Sequence, residues 1–85
     1  MIPKSLHPFF WDIEIESFDP RAHSDYTIER ILEFGDSTAV HWLEKEFSEE
    51  QIATVIRNTR RLSPKSATFW ALVYEIPAGE VTALL

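Results

Sequence analysis

The stretch Ser48–Glu75, SEEQIATVIRNTRRLSPKSATFWALVYE, carries the clearest helix signals in the chain. Ser48 with Gln51 three residues later is a capping box, which marks the start of a helix. Side chains suited to burial then recur at i, i+3, i+4 and i+7, the spacing of one helical face. They are Ile52, Val55, Ile56 and Thr59. Ser63-Pro64 again combines a capping residue with a proline in the first turn. The stretch therefore predicts two helices joined by a short junction at Leu62-Ser63-Pro64.

The second of these helices, from Pro64 to about Glu75, is apolar around most of its circumference. Its apolar positions are Ala67, Phe69, Trp70, Val73, Tyr74 and Ile76. A helix of this kind belongs in the middle of a bundle. The core expected from these patterns contains Ile31, Leu43, Ile56, Phe69 and Trp70. Beyond Gly79, a short C-terminal turn is expected to fold back onto the core through Val81, Leu84 and Leu85.

Two further helices are predicted before this stretch. Asp19-Pro20 has the form of a helix start, and Gly35 of a helix end. Asp36 is placed to cap the next helix, whose apolar face is Ala39, Val40, Leu43 and Phe47. Residues 1–18 hold prolines and aromatic side chains without helical spacing, so an irregular arm that packs on the helices is expected. The sequence thus predicts one all-α domain over 1–85, a four-helix bundle at 19–85 preceded by that arm.

Composition narrows the class of protein. The chain has 85 residues, is 45% hydrophobic and contains no cysteine, which fits one small folded domain without disulfides or thiolate metal sites. No apolar run approaches the ~18 residues of a membrane span, and the N-terminus lacks the pattern of a signal peptide. A cytoplasmic protein without a membrane segment is expected.

Charge is unevenly distributed along the chain. The net charge is −6, yet residues 12–50 carry twelve acidic and three basic residues, whereas residues 51–74 carry four basic residues and no acidic one. Such polarity favours oriented docking on another charged molecule. The alternative interpretation is a solvated acidic face beside a basic helix end.

The basic residues are Arg57, Arg60, Arg61 and Lys65. Arg57 and Arg61 are four residues apart, opposite the apolar face of the third helix, and Lys65 lies one turn into the fourth. Together with the N-terminus of the fourth helix they are predicted to bind an anion or a partner's carboxylates. The competing interpretation is that the arginines complement a helix dipole or pair with acids of the same chain.

The acidic counterpart is a strip formed by Asp12, Glu14, Glu16 and Asp19, the second candidate partner-binding surface. No base or glycine-rich phosphate loop accompanies it, and none of the serines is spaced for nucleophilic catalysis. The three histidines lack metal-ligand spacing. We therefore expect no enzymatic activity, no metal site and no cofactor.

A helix-turn-helix using residues 49–75 is the alternative function, because two helices there flank a short turn. An apolar second helix and a net charge of −6 make nucleic acid an unfavourable partner.

Three runs of sequence resemble a family of small bacterial proteins of unknown function. They are Pro8-Phe9-Phe10-Trp11-Asp12, Ile28–Asp36 (IERILEFGD) and Arg60-Arg61-Leu62-Ser63 followed by Phe69-Trp70. The family pattern is FWD, then IER(I/V)LE.GD, then (S/T)RRLS and FW. The resemblance implies genes that often lie beside those of abortive-infection-type nucleotidyltransferase toxins, and hence an antitoxin-like or accessory role with such a toxin as partner. The leading hypothesis is accordingly a small acidic helical protein-binding module.

Overall fold

The computed structural model describes residues 2–85 and has the predicted all-α architecture. Four α-helices form the bundle: α1 (Ser24–Phe34), α2 (Ser37–Glu46), α3 (Glu49–Asn58) and α4 (Pro64–Val73). A 3₁₀ helix, Lys4–Phe10, precedes them, and two short 3₁₀ turns, Ala78–Glu80 and Thr82–Leu84, follow. None of the helices within residues 2–85 has the length and apolar character needed to cross a bilayer.

Three of the predicted caps are confirmed. The Asp36 carboxylate accepts a hydrogen bond of 2.9 Å from the Ala39 amide and so caps α2. Ser48 and Gln51 each accept a hydrogen bond from the other's backbone amide, which completes the capping box of α3. The Ser63 hydroxyl caps α4, with proline in the first helical turn. Each cap satisfies an amide that has no partner within its helix.

The start of α1 was wrongly predicted. The Asp19 carboxylate accepts from the Arg21 amide at 3.0 Å, so it caps a turn and not a helix. The helix begins at Ser24, after His23. The Thr27 hydroxyl donates to the carbonyls of Pro20 (3.1 Å) and His23 (2.9 Å), which ties the turn to the first helical residues.

The N-terminal arm is more regular than predicted. Leu6 and Phe10 of the 3₁₀ helix are buried against the core, as is Ile2 before it. The Phe10 ring lies 5.7 Å from the Phe18 ring, and turns rather than a strand cover the residues between them. Met1, the first residue of the predicted arm, lies outside the described residues.

The central helix of the bundle is α1, not α4. α1 packs against α2, α3, α4 and the N-terminal 3₁₀ helix. α4 buries Ala67 and Ala71, whose small side chains allow close approach, while Phe69, Leu72 and Val73 are exposed. The expectation that Phe69 lies in the core is therefore wrong, and Trp70 is only half-buried. The remaining predicted core residues are confirmed: Ile31, Leu43 and Ile56 are fully buried.

The C-terminal segment returns to the core as predicted through Val81, which is fully buried, and Leu84, which packs against the core. Leu85 does not join them and is exposed. The turn begins where α4 ends: Glu75 has a φ of 56°, a left-handed conformation that glycine adopts more easily. The Ile76 amide then donates to the Ala71 carbonyl at 2.8 Å, which closes the helix end.

Gly35 ends α1 as predicted. Its role there is steric, because its backbone is not in the left-handed conformation that a glycine helix cap usually adopts. Its backbone is extended, with a φ of −73°. A Cβ at this position would lie 2.6 Å from the Ile31 carbonyl oxygen and 3.0 Å from the Ala39 Cβ. Glycine therefore lets the ends of α1 and α2 approach one another.

Candidate interaction surface

The predicted basic patch is divided between a helix end, a loop and the next helix. The sequence had suggested that Arg61 lies on the third helix. α3 instead ends at Asn58, so Arg60 and Arg61 both lie in the loop. The reason is Thr59, whose backbone is extended and whose hydroxyl accepts from the Arg61 amide at 3.1 Å. Lys65 lies in the first turn of α4.

Two of the arginines pair with acids of the same chain. Arg57 Nε lies 3.2 Å from a Glu80 carboxylate oxygen, and Arg61 Nε lies 3.9 Å from a Glu29 oxygen. Within residues 2–85, no carboxylate lies within ion-pair distance of Arg60 or Lys65. Arg60 and Lys65 are therefore the two predicted binding residues whose charge is not paired within residues 2–85.

The loop between α3 and α4 is held by two glutamates of α1 that the sequence analysis did not single out. Glu29 accepts from the Thr59 hydroxyl at 2.6 Å. The Glu33 carboxylate accepts from the Ser63 amide (2.7 Å), the Ser63 hydroxyl (3.0 Å) and the Ser66 hydroxyl (3.1 Å). Glu29 and Glu33 are four residues apart and so share one helix face. We call Glu29, Glu33 and their partners the junction clamp.

The predicted acidic strip is also partly occupied by contacts within the chain. Asp12 forms a 2.6 Å ion pair with Arg30 and accepts a 2.8 Å hydrogen bond from the Tyr26 hydroxyl. Glu14 accepts from the Ser17 hydroxyl at 3.3 Å. Glu16 is exposed, and Asp19 caps the turn before α1.

Arg30 is the anchor of the N-terminal arm. Its guanidinium carbon lies 4.5 Å from the Trp11 ring centroid, 4.8 Å from that of Tyr26 and 5.8 Å from that of Phe34. Such placements add cation–π attraction to the ion pair with Asp12. The arm is therefore fixed to α1 by polar as well as apolar contacts.

Asp12 gives the arm an acid-sensitive contact. The hydrogen bonds from Arg30 and Tyr26 lower the pKa of Asp12 from its ordinary value of 3.8. A carboxylate with a lowered folded pKa contributes stability that is complete above the unfolded pKa and is lost as pH falls through the folded value. We therefore predict that Asp12→Asn reduces the free energy of unfolding at neutral pH. The difference from wild type should shrink as pH falls from just above 3.8.

Chemical unfolding of both proteins at several pH values measures this difference. Glu16→Gln, which changes another exposed carboxylate of the arm, is the matched control and should stay close to wild type. A deficit of Asp12→Asn that persists undiminished in acid would contradict the assignment.

The outer face of α4 carries three of the six large apolar side chains that are exposed within residues 2–85. Phe69 is 56% exposed, Leu72 74% and Val73 51%. They follow Lys65 at helical spacing, so the four side chains form one stripe. We call Lys65, Phe69, Leu72 and Val73 the α4 stripe.

The two ends of the α4 stripe differ in charge. Lys65 stands at the N-terminal end, after the loop that carries Arg60. At the C-terminal end, Glu44 and Glu49 line a hollow of about 340 Å³ beside Val73 and Tyr74. Burial, with both glutamates nearby, raises the pKa of Tyr74 to about 12, so its hydroxyl stays protonated and donates to Glu44.

Neither the junction clamp nor the α4 stripe was predicted as a functional surface. The i, i+4 spacing of Glu29 and Glu33 was visible in the sequence, but on an exposed helix face it usually denotes solvated charge. The runs IERILEFGD and TRRLS, which carry the family resemblance, contact each other through the clamp.

Comparison with known proteins finds a family and no individual relative. A family model described as "Family of unknown function (DUF6922)" matches residues 5–56, from the N-terminal 3₁₀ helix to the last turns of α3. The match therefore covers more than half of the chain and stops before α4. No curated protein and no solved structure matches the chain.

Proposed function

The chain belongs to a family of proteins of unknown function, DUF6922, and we propose that it is a protein-binding module that associates through the α4 stripe. The observation that carries this proposal is the exposure of Phe69, Leu72 and Val73 on one helical face. Burying apolar surface is favourable by a free energy of about 25 cal/mol for each Å² removed from water, so a partner that covered these side chains would stabilise the complex. A contiguous exposed apolar face is a recurrent feature of interaction sites.

The surroundings of the α4 stripe suit a protein interface. Phenylalanine is enriched in interfaces, and charged side chains concentrate at their rims. The stripe has apolar residues at its middle, Lys65 at one end and Glu44 and Glu49 toward the other. A binding role without catalysis, in the cytoplasm, is part of this proposal.

The family resemblance suggests a nucleotidyltransferase-type toxin as the first foreign partner to test. A nucleotide-binding protein commonly has a basic cleft, to which an acidic partner is attracted. Glu14, Glu16 and Asp19 are the exposed acids of the predicted strip that such a cleft could contact. Asp12 is less suited, because Arg30 already binds it.

The α4 stripe also bears on the alternative function, a helix-turn-helix regulator. In that function α4 would enter the major groove and present polar side chains to base edges. Its outer face instead presents Phe69, Leu72 and Val73. These side chains favour a protein partner over DNA.

Affinity capture with matched variants tests the proposed function. Leu72→Glu places a charge in the middle of the α4 stripe, whereas Leu85→Glu makes the same change at another exposed leucine. We expect wild type and Leu85→Glu to capture the same protein in stoichiometric amount, and Leu72→Glu to weaken that capture by about tenfold or more.

The same proteins and a Lys65→Glu variant are passed over immobilised duplex DNA at low and high salt, and over a purified nucleotidyltransferase-type toxin. Retention on DNA that depends on salt and on Lys65 would support the regulator. Equal capture by wild type and Leu72→Glu would show that the α4 stripe is not the interface.

A further inference from the structure

We infer that the partner that covers the α4 stripe is a second copy of the chain, with the two α4 helices antiparallel about a two-fold axis. This inference rests on the proposed function, because it names the occupant of the same surface. The observation that points to it is the arrangement of charge along α4 and around its ends.

The α4 stripe has a basic and an acidic end. Lys65 is the sole charged residue between Ser63 and Tyr74, and it lies in the first turn. At the other end, Glu44 and Glu49 line the hollow beside Val73, and Glu44 accepts a hydrogen bond from the Tyr74 hydroxyl. A surface with opposite charges at its two ends complements itself when it is rotated by half a turn.

The spacing of the charges fits such a pairing. Lys65 and Val73 are eight residues apart on α4, about 12 Å along its axis, and Glu49 lines the hollow beside Val73. When two α4 helices run antiparallel about a point near residue 69, Lys65 of one copy lies opposite Val73 of the other and so near Glu49 of that copy. Phe69 of one copy then lies beside Leu72 of the other. The two-fold symmetry produces each of these contacts twice.

Charge also distinguishes a second copy from a strongly basic partner. A basic cleft would find no carboxylate along the middle of the α4 stripe, where the apolar residues lie. Residues 64–73 of α4 include no acidic residue, so the net charge of −6 is not concentrated along the middle of this contact. The α4 stripe therefore fits another α4 stripe better than it fits a cationic surface.

The size of the stripe sets the expected strength. Three large apolar side chains per copy cover less than the ~800 Å² per partner that a stable interface buries. We therefore expect a reversible dimer with a dissociation constant on the order of 10–100 µM.

Sedimentation velocity over a range of concentrations tests the dimer, with circular dichroism as a check on folding. We expect wild type and Leu85→Glu to shift from monomer to dimer with rising concentration, and Leu72→Glu to stay monomeric. Because Leu72 is 74% exposed, this substitution should leave the fold intact.

Charge reversal tests the antiparallel arrangement. Lys65→Glu alone and Glu49→Lys alone each place like charges near one another across the pairing and should weaken dimerisation by about tenfold. The double variant restores opposite charges and should return to within about threefold of wild type. In a parallel dimer, Lys65 would face Lys65 of the second copy, and the double variant would not recover.

Failure of this inference and failure of the proposed function give different results. A wild-type protein that stays monomeric to about 1 mM, well above the expected constant, overturns the second-copy inference. If a foreign protein is then captured in a way that depends on Leu72, the proposed function stands. If the Leu72→Glu protein dimerises like wild type, the α4 stripe is not the contact. A double variant that stays as weak as the single ones overturns the antiparallel arrangement.

Discussion

Glu33→Ala is expected to lower the free energy of unfolding by about 2–3 kcal/mol, because one carboxylate accepts three hydrogen bonds in the junction clamp. A hydrogen bond to a charged group contributes about 1.5–3 kcal/mol when it is well shielded. Glu33 is half-buried, so the sum is reduced by solvent. The Ser63 hydroxyl would still cap α4, since its bond to the Ser66 amide does not involve Glu33.

Equilibrium unfolding in urea measures this change. Glu50→Ala is the matched control, because it removes the same charge from an exposed position in the first turn of α3. We expect the control to lose less than about 1 kcal/mol, the range of a charge near a helix N-terminus. Equal losses in the two variants would mean that the junction clamp contributes nothing beyond a negative charge on a helix.

Contacts between distant segments explain why the basic residues at 57–65 were harder to interpret than the helices around them. The helix cap at Ser63 follows from local sequence and was predicted correctly. The partners of Arg57 and Arg61 are Glu80 and Glu29, each more than twenty residues away in sequence. Helical periodicity describes neighbours within a turn or two, and it cannot assign contacts between distant segments.

The fold could be predicted to the extent that each helix has one apolar face. α3 shows this best: Ile52, Val55, Ile56 and Thr59 are all buried as expected. α4 is apolar on both faces, so periodicity could not decide which face is inside. Packing against α1 and α3 selects the alanine side, Ala67 and Ala71, and leaves Phe69, Leu72 and Val73 outside.

Trp70→Ala is expected to lower the free energy of unfolding by about 3 kcal/mol, near the lower end of the range for removing a large aromatic side chain. Trp70 is half-buried, packs against the core and donates a 2.8 Å hydrogen bond from its indole nitrogen to the Leu32 carbonyl. This bond joins α4 to the central helix α1. The substitution removes both the packing and the bond, and a domain of this size has only a few kcal/mol to lose.

Two controls divide this effect into its parts. Trp70→Phe keeps an aromatic ring but loses the donor to Leu32, and should lose about 1 kcal/mol. Phe69→Ala removes the neighbouring ring, which is 56% exposed, and should lose less than about 1 kcal/mol. Unfolding curves for the three variants at low protein concentration, where the chain is monomeric, provide the comparison. If Phe69→Ala proved as destabilising as Trp70→Ala, both faces of α4 would have to be covered within a single chain. The α4 stripe would then belong to the core, as its apolar circumference first suggested, and could not serve as a docking surface.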